Sequence, residues 1–368
     1  MTIRLLIVSI FLIFPAGAFG ENLTVYGSVR VGIRHIDQSG RVLVPSDDEN
    51  ERLPELDVFD DGGEWDLSDE LSRLGFRGSE DLGNGLSAIY HYEFGVDSAD
   101  GPTLGGAEKR LAYAGLKGNW GTVTIGTNWI PYYTAVGEAV DLFWGPFTAN
   151  GYYEVAGLGN FEGDRSGNLI TYQSPDLGDL NLMGSIKTSA DGGETGVDEY
   201  QLAAVYDNGA LFLGAAFREL RKDSTVVGIE KRKAESAGLC DGPAPALICA
   251  VKVKNDRQFG GSAGYRFDFG LSVSGSVQKS DNNFQDDWTS YDLYGEYDFG
   301  NNVVRAAYFN AENDKGSEQN TDGWIVGFDH AFSERTLFWV EYGDSNTKDR
   351  FNQRQDVRSL SIGFKQDF

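Results

Sequence analysis

The sequence predicts an all-β chain, a 16-stranded antiparallel transmembrane β-barrel. Three observations predict it. Every clear segment alternates apolar and polar residues with a period of two. Tight turns and long polar connections take turns along the whole chain. The segments so delimited are even in number, and most are near the ~9–11 residues that a tilted strand needs to cross the hydrocarbon.

The period is plain in several places. Leu271, Val273, Gly275 and Val277 alternate with Ser272, Ser274, Ser276 and Gln278, and Tyr291, Leu293, Gly295 and Tyr297 alternate with Ser290, Asp292, Tyr294 and Glu296. Leu86, Ala88, Tyr90, Tyr92 and Phe94 do the same against Ser87, Ile89, His91 and Glu93. Successive side chains of a strand point to opposite faces, so each segment has one apolar and one polar face. No comparable 3.6-residue pattern is present. The predicted strands are 22–36, 70–81, 85–97, 108–118, 121–129, 165–174, 180–188, 197–207, 210–220, 256–267, 270–280, 288–298, 302–312, 322–332, 336–345 and 357–368. Short turns such as Leu82–Gly85, Asp207–Gly209 and Asp268–Gly270 alternate with long connections at 37–70, 98–107, 130–164, 189–196, 221–255, 281–287, 313–321 and 346–356. An up-and-down meander with tight turns on one rim and long loops on the other has this punctuation. Sixteen strands leave an aqueous lumen, and closure removes the free edges that lipid cannot satisfy.

Composition is compatible with this and excludes other classes. The 368 residues carry 24% charged and 40% hydrophobic residues, near a soluble average. A barrel wall averages apolar and polar faces, so bulk hydropathy does not separate it from a soluble β protein. Aromatic residues reach 13%, and 48 Gly stand against 9 Pro. The net charge of −25 repels nucleic acid, so no nucleic-acid partner is expected. Eleven of the acids crowd into Asp47–Asp69, which reads as a solvated loop, or as a surface binding divalent cations or bridging through them to lipopolysaccharide.

The N-terminus reads as an export signal. One basic residue, Arg4, precedes the apolar run Leu5–Phe14, and small residues follow up to Gly20. Residues 1–20 are expected to be a signal peptide and 21–368 the barrel. The apolar run is too short to span a bilayer as a helix. In an oxidising compartment, the 2 cysteines, Cys240 and Cys249, are expected to pair across a loop tip. No Cys/His spacing fits zinc, and no metal or cofactor is expected.

Specific motifs go beyond the pattern. Leu23–Gly27, Ser72–Leu86 with its continuation Ala88–Glu93, Arg110–Gly118, Gly121–Gly126 and Arg165–Pro175 resemble, in order, the first six strands of Gram-negative general trimeric porins. The alternating last strand, ending in Phe368, resembles the recognition signal of outer-membrane barrel assembly. The resemblance implies a water-filled outer-membrane channel for passive diffusion of ions and small hydrophilic solutes. It implies a homotrimer set in outer-membrane lipid and lipopolysaccharide. It also implies an inward-folded third loop, here Ile130–Asp164, whose many rings suit burial against an inner wall. The family opposes acids on that loop to arginines on the wall. The matching positions are Glu138 and Asp141 against Arg73, Arg110 and Arg165 as a pore constriction.

Strand parity gives the wall arginines independent support. Leu74 and Phe76 face lipid, so Arg73 and Arg77 face the lumen. Leu111 and Tyr113 are read as facing lipid, which turns Arg110 inward. Val25, Val29, Val31 and Ile33 point out, so Arg30 and Arg34 point in. A charge on the lipid face at mid-depth costs ~2–4 kcal/mol, which favours all these inward placements. Arg30, Arg34 and Arg77 are read as ordinary pore-wall residues. An enzyme is not expected: the 3 His sit in no motif with Ser or Asp, and Gly-x-Ser-x-Gly is absent. The alternative reading is a solute-specific outer-membrane channel, for a sugar or an anion.

Overall fold

The computed structural model describes residues 22–43, 55–60, 63–101, 110–145, 163–188, 196–221, 226–229, 249–251, 255–281, 287–313, 318–349 and 353–368. The expected signal peptide and Cys240, and with it the expected disulfide, lie outside these residues. No helix among the described residues is long and apolar enough to cross a membrane.

The chain forms an antiparallel sheet in which every strand pairs with its neighbours in sequence. Its wall strands are β1 (Thr24–Leu43), β2 (Glu55–Asp60, Glu64–Asp69 and Arg73–Gly83), β3 (Leu86–Gly95), β4 (Ala112–Gly118), β5 (Gly121–Trp129), β6 (Arg165–Gln173), β7 (Leu180–Thr188) and β8 (Val197–Asp207). They continue as β9 (Leu211–Leu220), β10 (Asp256–Arg266), β11 (Leu271–Asp281), β12 (Trp288–Phe299), β13 (Asn302–Asn313), β14 (Asn320–Ala331), β15 (Thr336–Lys348) and β16 (Arg354–Asp367). The three pieces of β2 count as one wall strand because each pairs with a successive stretch of β1. A separate short pairing joins Val226–Ile229 to Cys249–Val251.

Closure comes from the two ends of the chain. β1 pairs with β16 in unbroken register from Ser28–Asp367 to Arg41–Arg354. Gly27 and Phe368 then exchange backbone hydrogen bonds of 3.0 and 3.1 Å, so the ladder runs to the last residue. The ring holds sixteen strands and leaves no edge.

The two faces follow the sequence alternation. Large apolar side chains such as Ile125, Leu202, Leu293 and Val277 are exposed on one face. Small and polar residues such as Ser262, Ser276, Gln258, Ser359 and Ser361 are buried on the other. Tight turns use the backbone freedom of Asn and Gly: Asn84 and Gly85, between β2 and β3, hold φ of 54° and 77°. Paired positive φ matches the twist of a hairpin.

Two stretches of the chain differ from the sequence expectation. The 37–70 connection is largely strand: β1 runs 20 residues to Leu43, and Glu55–Asp60 and Glu64–Asp69 pair with it. The crowded acids of that stretch suggested a loop. A strand twice as long as the hydrocarbon requires stands partly in water, where charges cost little on either face. The second difference lies at Leu111 and Tyr113, which face the lumen side rather than lipid. Tyr113 pairs with His91 and shares its polar face, while Leu111 is buried. Regular β3–β4 pairing stops at Tyr92–Ala112, and Glu93 N–H then bonds Leu111 O at 2.8 Å. That bond continues the same register, so Leu111 stays on the face of Tyr113; alternation breaks one residue on, where Arg110 also turns inward to Glu93, and parity counted from Arg110 fails.

Candidate pore constriction

Two groups of residues meet the polar face of the barrel. The first is built on β1–β4 around Glu93. Arg110 Nε donates to Glu93 Oε1 at 2.5 Å, with side-chain exposures of only 2% and 7%. Tyr26 OH donates to Glu93 Oε2 at 2.6 Å, and Arg73 Nε approaches the same carboxylate at 3.9 Å. Tyr26 also lies 2.6 Å from His91 Nε2, whose Nδ1 is 3.3 Å from Tyr113 OH. One direction satisfies the chain: Tyr113 donates to Nδ1, Nε2–H donates to Tyr26, and Tyr26 donates to Glu93. Arg77 stacks over Tyr26 at 5.3 Å. A single buried carboxylate thus gathers Arg73 and Arg110.

The second group is the segment following β5. It includes one turn of π-helix, Tyr133–Gly137, the geometry that proteins favour at functional sites. Ile130, Tyr132, Ala135, Val136 and Val140 are buried against Leu169, Ala203 and Ala216 of the wall. The segment proceeds round the wall strand by strand. Tyr132 N–H donates to Gln201 on β8 at 3.2 Å, and its ring lies 4.7 Å under Arg218 on β9. Its hydroxyl donates to Gln278 on β11 at 3.3 Å. Ser262 on β10 donates to Ala135 O at 2.5 Å, and Ser274 on β11 to Ala139 O at 2.6 Å.

Two glycines make room for this path. A Cβ at Gly214 on β9 would overlap the Ala135 carbonyl, and one at Gly260 on β10 would overlap the Tyr132 hydroxyl. Beneath lies a ladder of buried amides: Arg218 Nε donates to Gln258, Gln258 to Gln278, and Gln278 to Ser290, at 2.5, 3.0 and 3.1 Å. Buried polar groups need such partners.

The far end of the segment is anchored by acids. Trp144 N–H and Gly145 N–H both donate to Glu341 on β15, at 2.7 and 2.6 Å. Trp144 Nε1 donates to Asp329 on β14 at 2.8 Å, and Asp329 also pairs with Arg305 on β13. Arg30, Arg305 and Lys365 surround the indole at 5.1, 5.6 and 4.7 Å.

Arg73 and Arg110 come together at Glu93. Glu138 and Asp141 lie on the wall-seated segment, where Tyr133 OH donates to Asp141 at 2.9 Å. Arg165 lies apart, paired with Asp164 at 2.5 Å and stacked on Trp129 at 4.6 Å. Arg34 pairs with Asp66 at 3.1 Å. Glu93, Glu341, Asp329, Arg305 and the two glycines were missed. Each reads in sequence as one more polar or small residue on an alternating strand, and only long-range pairing reveals its partner. Among the described residues, no group of three or more His, Cys, Asp or Glu could hold a metal ion.

An edgeless barrel with an apolar outside and a charged, polar inside is a channel-forming barrel of the outer-membrane type. Residues 7–350 match the model of the Gram-negative porin family, and the chain belongs to that family. It is therefore an outer-membrane porin, resident in a Gram-negative outer membrane. It is 25% identical over 349 residues to the major outer membrane protein P.IB of Neisseria gonorrhoeae, covering 89% of each chain. It is 26% identical over 349 residues to a monosaccharide porin of Halomonas, covering 88% of this chain and 86% of the other. Its fold matches the anion-selective porin from Comamonas acidovorans with a TM-score of 0.68 at 19% identity, over 94% of this chain and 99% of the other.

Proposed function

We propose that the protein is a general diffusion pore for ions and small hydrophilic solutes, narrowed between the wall-seated segment and the arginines of β2–β4. One observation carries this reading. Tyr132–Ala139 touches β8–β11, while Arg73 and Arg110 lie on β2 and at the entrance to β4. Counted round the ring of sixteen, β11, whose Ser274 holds Ala139, stands seven places from both β2 and β4, on the opposite side of the lumen. Glu138 and Asp141 therefore face the arginine pair across the water-filled gap, and Arg165 flanks it. Opposed fixed charges set a transverse field that orients polar solutes and tunes ion selectivity. Arginine keeps its charge throughout. No covalent chemistry is involved.

Swelling of liposomes carrying the refolded protein tests the general character. Rates should fall smoothly with solute size across unrelated sugars and amino acids. Fast entry of one solute class, with exclusion of others of equal size, would favour the solute-specific reading instead, which similarity to a monosaccharide porin makes worth testing.

Glu138 is exposed to the lumen but closely surrounded by the barrel wall; the partial loss of solvation there, and then the charge of Asp141, hold its carboxyl above the usual carboxylate range. A raised carboxyl takes up its proton at a higher pH than an ordinary one. Acidification should therefore remove this loop charge early and move the reversal potential toward anion preference. Glu138→Gln should abolish that component of the pH titration. An identical titration in the variant would remove Glu138 from the gap.

Family membership supports a homotrimer, and the exposed apolar belt supports contact with outer-membrane lipid and lipopolysaccharide. Chemical cross-linking of the native protein into trimers tests the first.

A further inference from the structure

The chain has 3 histidines, and His91 is the one that faces the lumen. His35 stacks on Trp65 at 5.0 Å and His330 meets Phe332 edge-on at 4.9 Å, both among exposed rings of the outer face. His91 lies on the polar face of β3, one strand repeat, ~7 Å, from Glu93. Its ring is half-buried and flanked edge-on by Tyr26 at 5.7 Å and Tyr113 at 5.5 Å.

The direction of every proton around His91 follows from one charge. Glu93 is ion-paired with Arg110 at 2.5 Å, and a carboxylate only accepts. Tyr26 therefore gives its single proton to Glu93 Oε2, at 2.6 Å. Its oxygen can then only accept from His91 Nε2, also at 2.6 Å, which places the ring proton on Nε2. That leaves Nδ1 bare, and Tyr113 OH donates to it across 3.3 Å. A second proton has one place to go, Nδ1. Tyr113 then turns its hydroxyl, accepts from Nδ1–H and points its own proton into the open space of the lumen that it borders. Uptake reverses the longest bond of the chain and leaves the two short ones in place. The network thus holds both charge states of the ring.

The charged neighbours of His91 oppose one another. Arg77 of β2 is its direct cross-strand neighbour and repels a charge there, while Glu93 on its own strand attracts one. From β1 and β4 the facing groups are the phenols of Tyr26 and Tyr113, and Lys117 lies two strand repeats beyond Tyr113. Arg73 and Arg110 stand on the far side of Glu93, which offsets them. Histidine is the side chain whose unperturbed charge change falls between about pH 5 and 8. The arginines of this wall keep their charge over that range.

We propose that His91 is a selectivity-determining residue of the pore, a proton-sensitive charge held by the Tyr113–His91–Tyr26–Glu93 chain that turns the channel toward anions on acidification. The sign follows from the ring gaining a positive charge as the pH falls. The proposal rests on the channel reading and adds to it a titrating group on the arginine side, opposite Glu138. A unit charge ~7 Å from an ion's path changes the local ion concentration by about two- to threefold in water.

The test uses the full barrel, refolded in a planar bilayer, in the Glu138→Gln background, which silences the loop carboxylate. Between about pH 8 and 5.5, the chloride-to-potassium permeability ratio should rise about two- to threefold. His91→Gln in the same background should leave the ratio flat. Heat-modifiable gel mobility verifies that each variant folds. Nuclear magnetic resonance of the histidine-labelled barrel in detergent reads the ring itself, since only 3 imidazoles contribute and the His91 signals are those lost in His91→Gln. His91 should be the Nε2–H tautomer at the alkaline end and gain its second proton over the range in which the permeability ratio moves. Tyr26→Phe removes the acceptor that fixes the tautomer and should leave a mixture of the two neutral forms. A ring that stays neutral throughout, carries its proton on Nδ1, or keeps its tautomer in Tyr26→Phe would overturn the proposal. A folded barrel that conducts nothing would sink the pore reading and the proposal together. A conducting barrel whose permeability ratio ignores the titration of His91 would sink the proposal alone.

Discussion

Gly214→Val should raise the single-channel conductance, the largest such rise expected from one wall substitution. A Cβ at Gly214 would overlap the Ala135 carbonyl, and Ser262 Oγ meets that same oxygen at 2.5 Å. The backbone there has no lateral freedom, because Tyr132 is pinned to Gln201 and Gln278 on one side and Ala139 to Ser274 on the other. Valine forces the segment off the wall. Overpacking of this kind costs ~1–3 kcal/mol, enough to populate lifted states and to break the bonds seated nearby. Gly261→Ala is the matched control. It sits one residue from Gly260, points to the other face, and its Cβ meets only Gly214 O at 3.6 Å. Heat-modifiable gel mobility verifies that both variants fold. A folded Gly214→Val barrel with wild-type conductance would mean that the segment does not narrow the pore.

Arg110→Ala should shift the reversal potential strongly toward cations and lower thermal stability. The Arg110–Glu93 pair is almost wholly buried, and removing one member of such a pair typically costs ~3–5 kcal/mol. Glu93 would keep Tyr26 at 2.6 Å, but Arg73 at 3.9 Å is too far to replace a direct hydrogen bond. An unneutralised carboxylate then faces the lumen where a near-neutral pair stood. Glu93→Gln is the converse: it removes the negative charge beside Arg73 and Arg110 and should move selectivity toward anions. Opposite signs for the two variants, read as reversal potentials under one salt gradient, are the expected result. Shifts of the same sign would show that the pair acts through structure rather than through charge.

The barrel was largely legible in the sequence because its cause is local. A strand of a wet-lumen barrel must alternate, so Ser359, Leu360, Ser361 and Ile362 announce their faces without knowledge of their partners. The turns were legible for the same reason, as Asn84–Gly85 shows. Errors arose where locality failed. Tyr113 was turned the wrong way because alternation breaks at Arg110–Leu111. The Glu55–Asp69 stretch was read as loop because its charge suggested water, and a strand rising beyond the hydrocarbon is indeed wet. The site was legible only in part. Arg73 and Arg110 stood out through motif and parity, and the rings of the third loop through their number. Glu93, Asp329 and Glu341 did not stand out, because their meaning lies in what they bind: two arginines, an indole N–H and two backbone amides from a segment almost two hundred residues away. Gly214 and Gly260 matter for the space they leave, which no single-sequence signal carries.

The central claim is that a water-filled gap runs through the closed barrel between the Tyr132–Asp141 segment and the Arg73–Arg110 pair. Conductance of the refolded protein in a planar lipid bilayer, with the reversal potential taken under a salt gradient, tests it most directly. The structure predicts stable ohmic steps, with closures in threes if the trimer forms, and a finite selectivity that Arg110→Ala and Glu93→Gln move in opposite directions. Absent or vanishingly small steps from a barrel shown to be folded would contradict it, and would mean that the lumen is closed rather than narrowed.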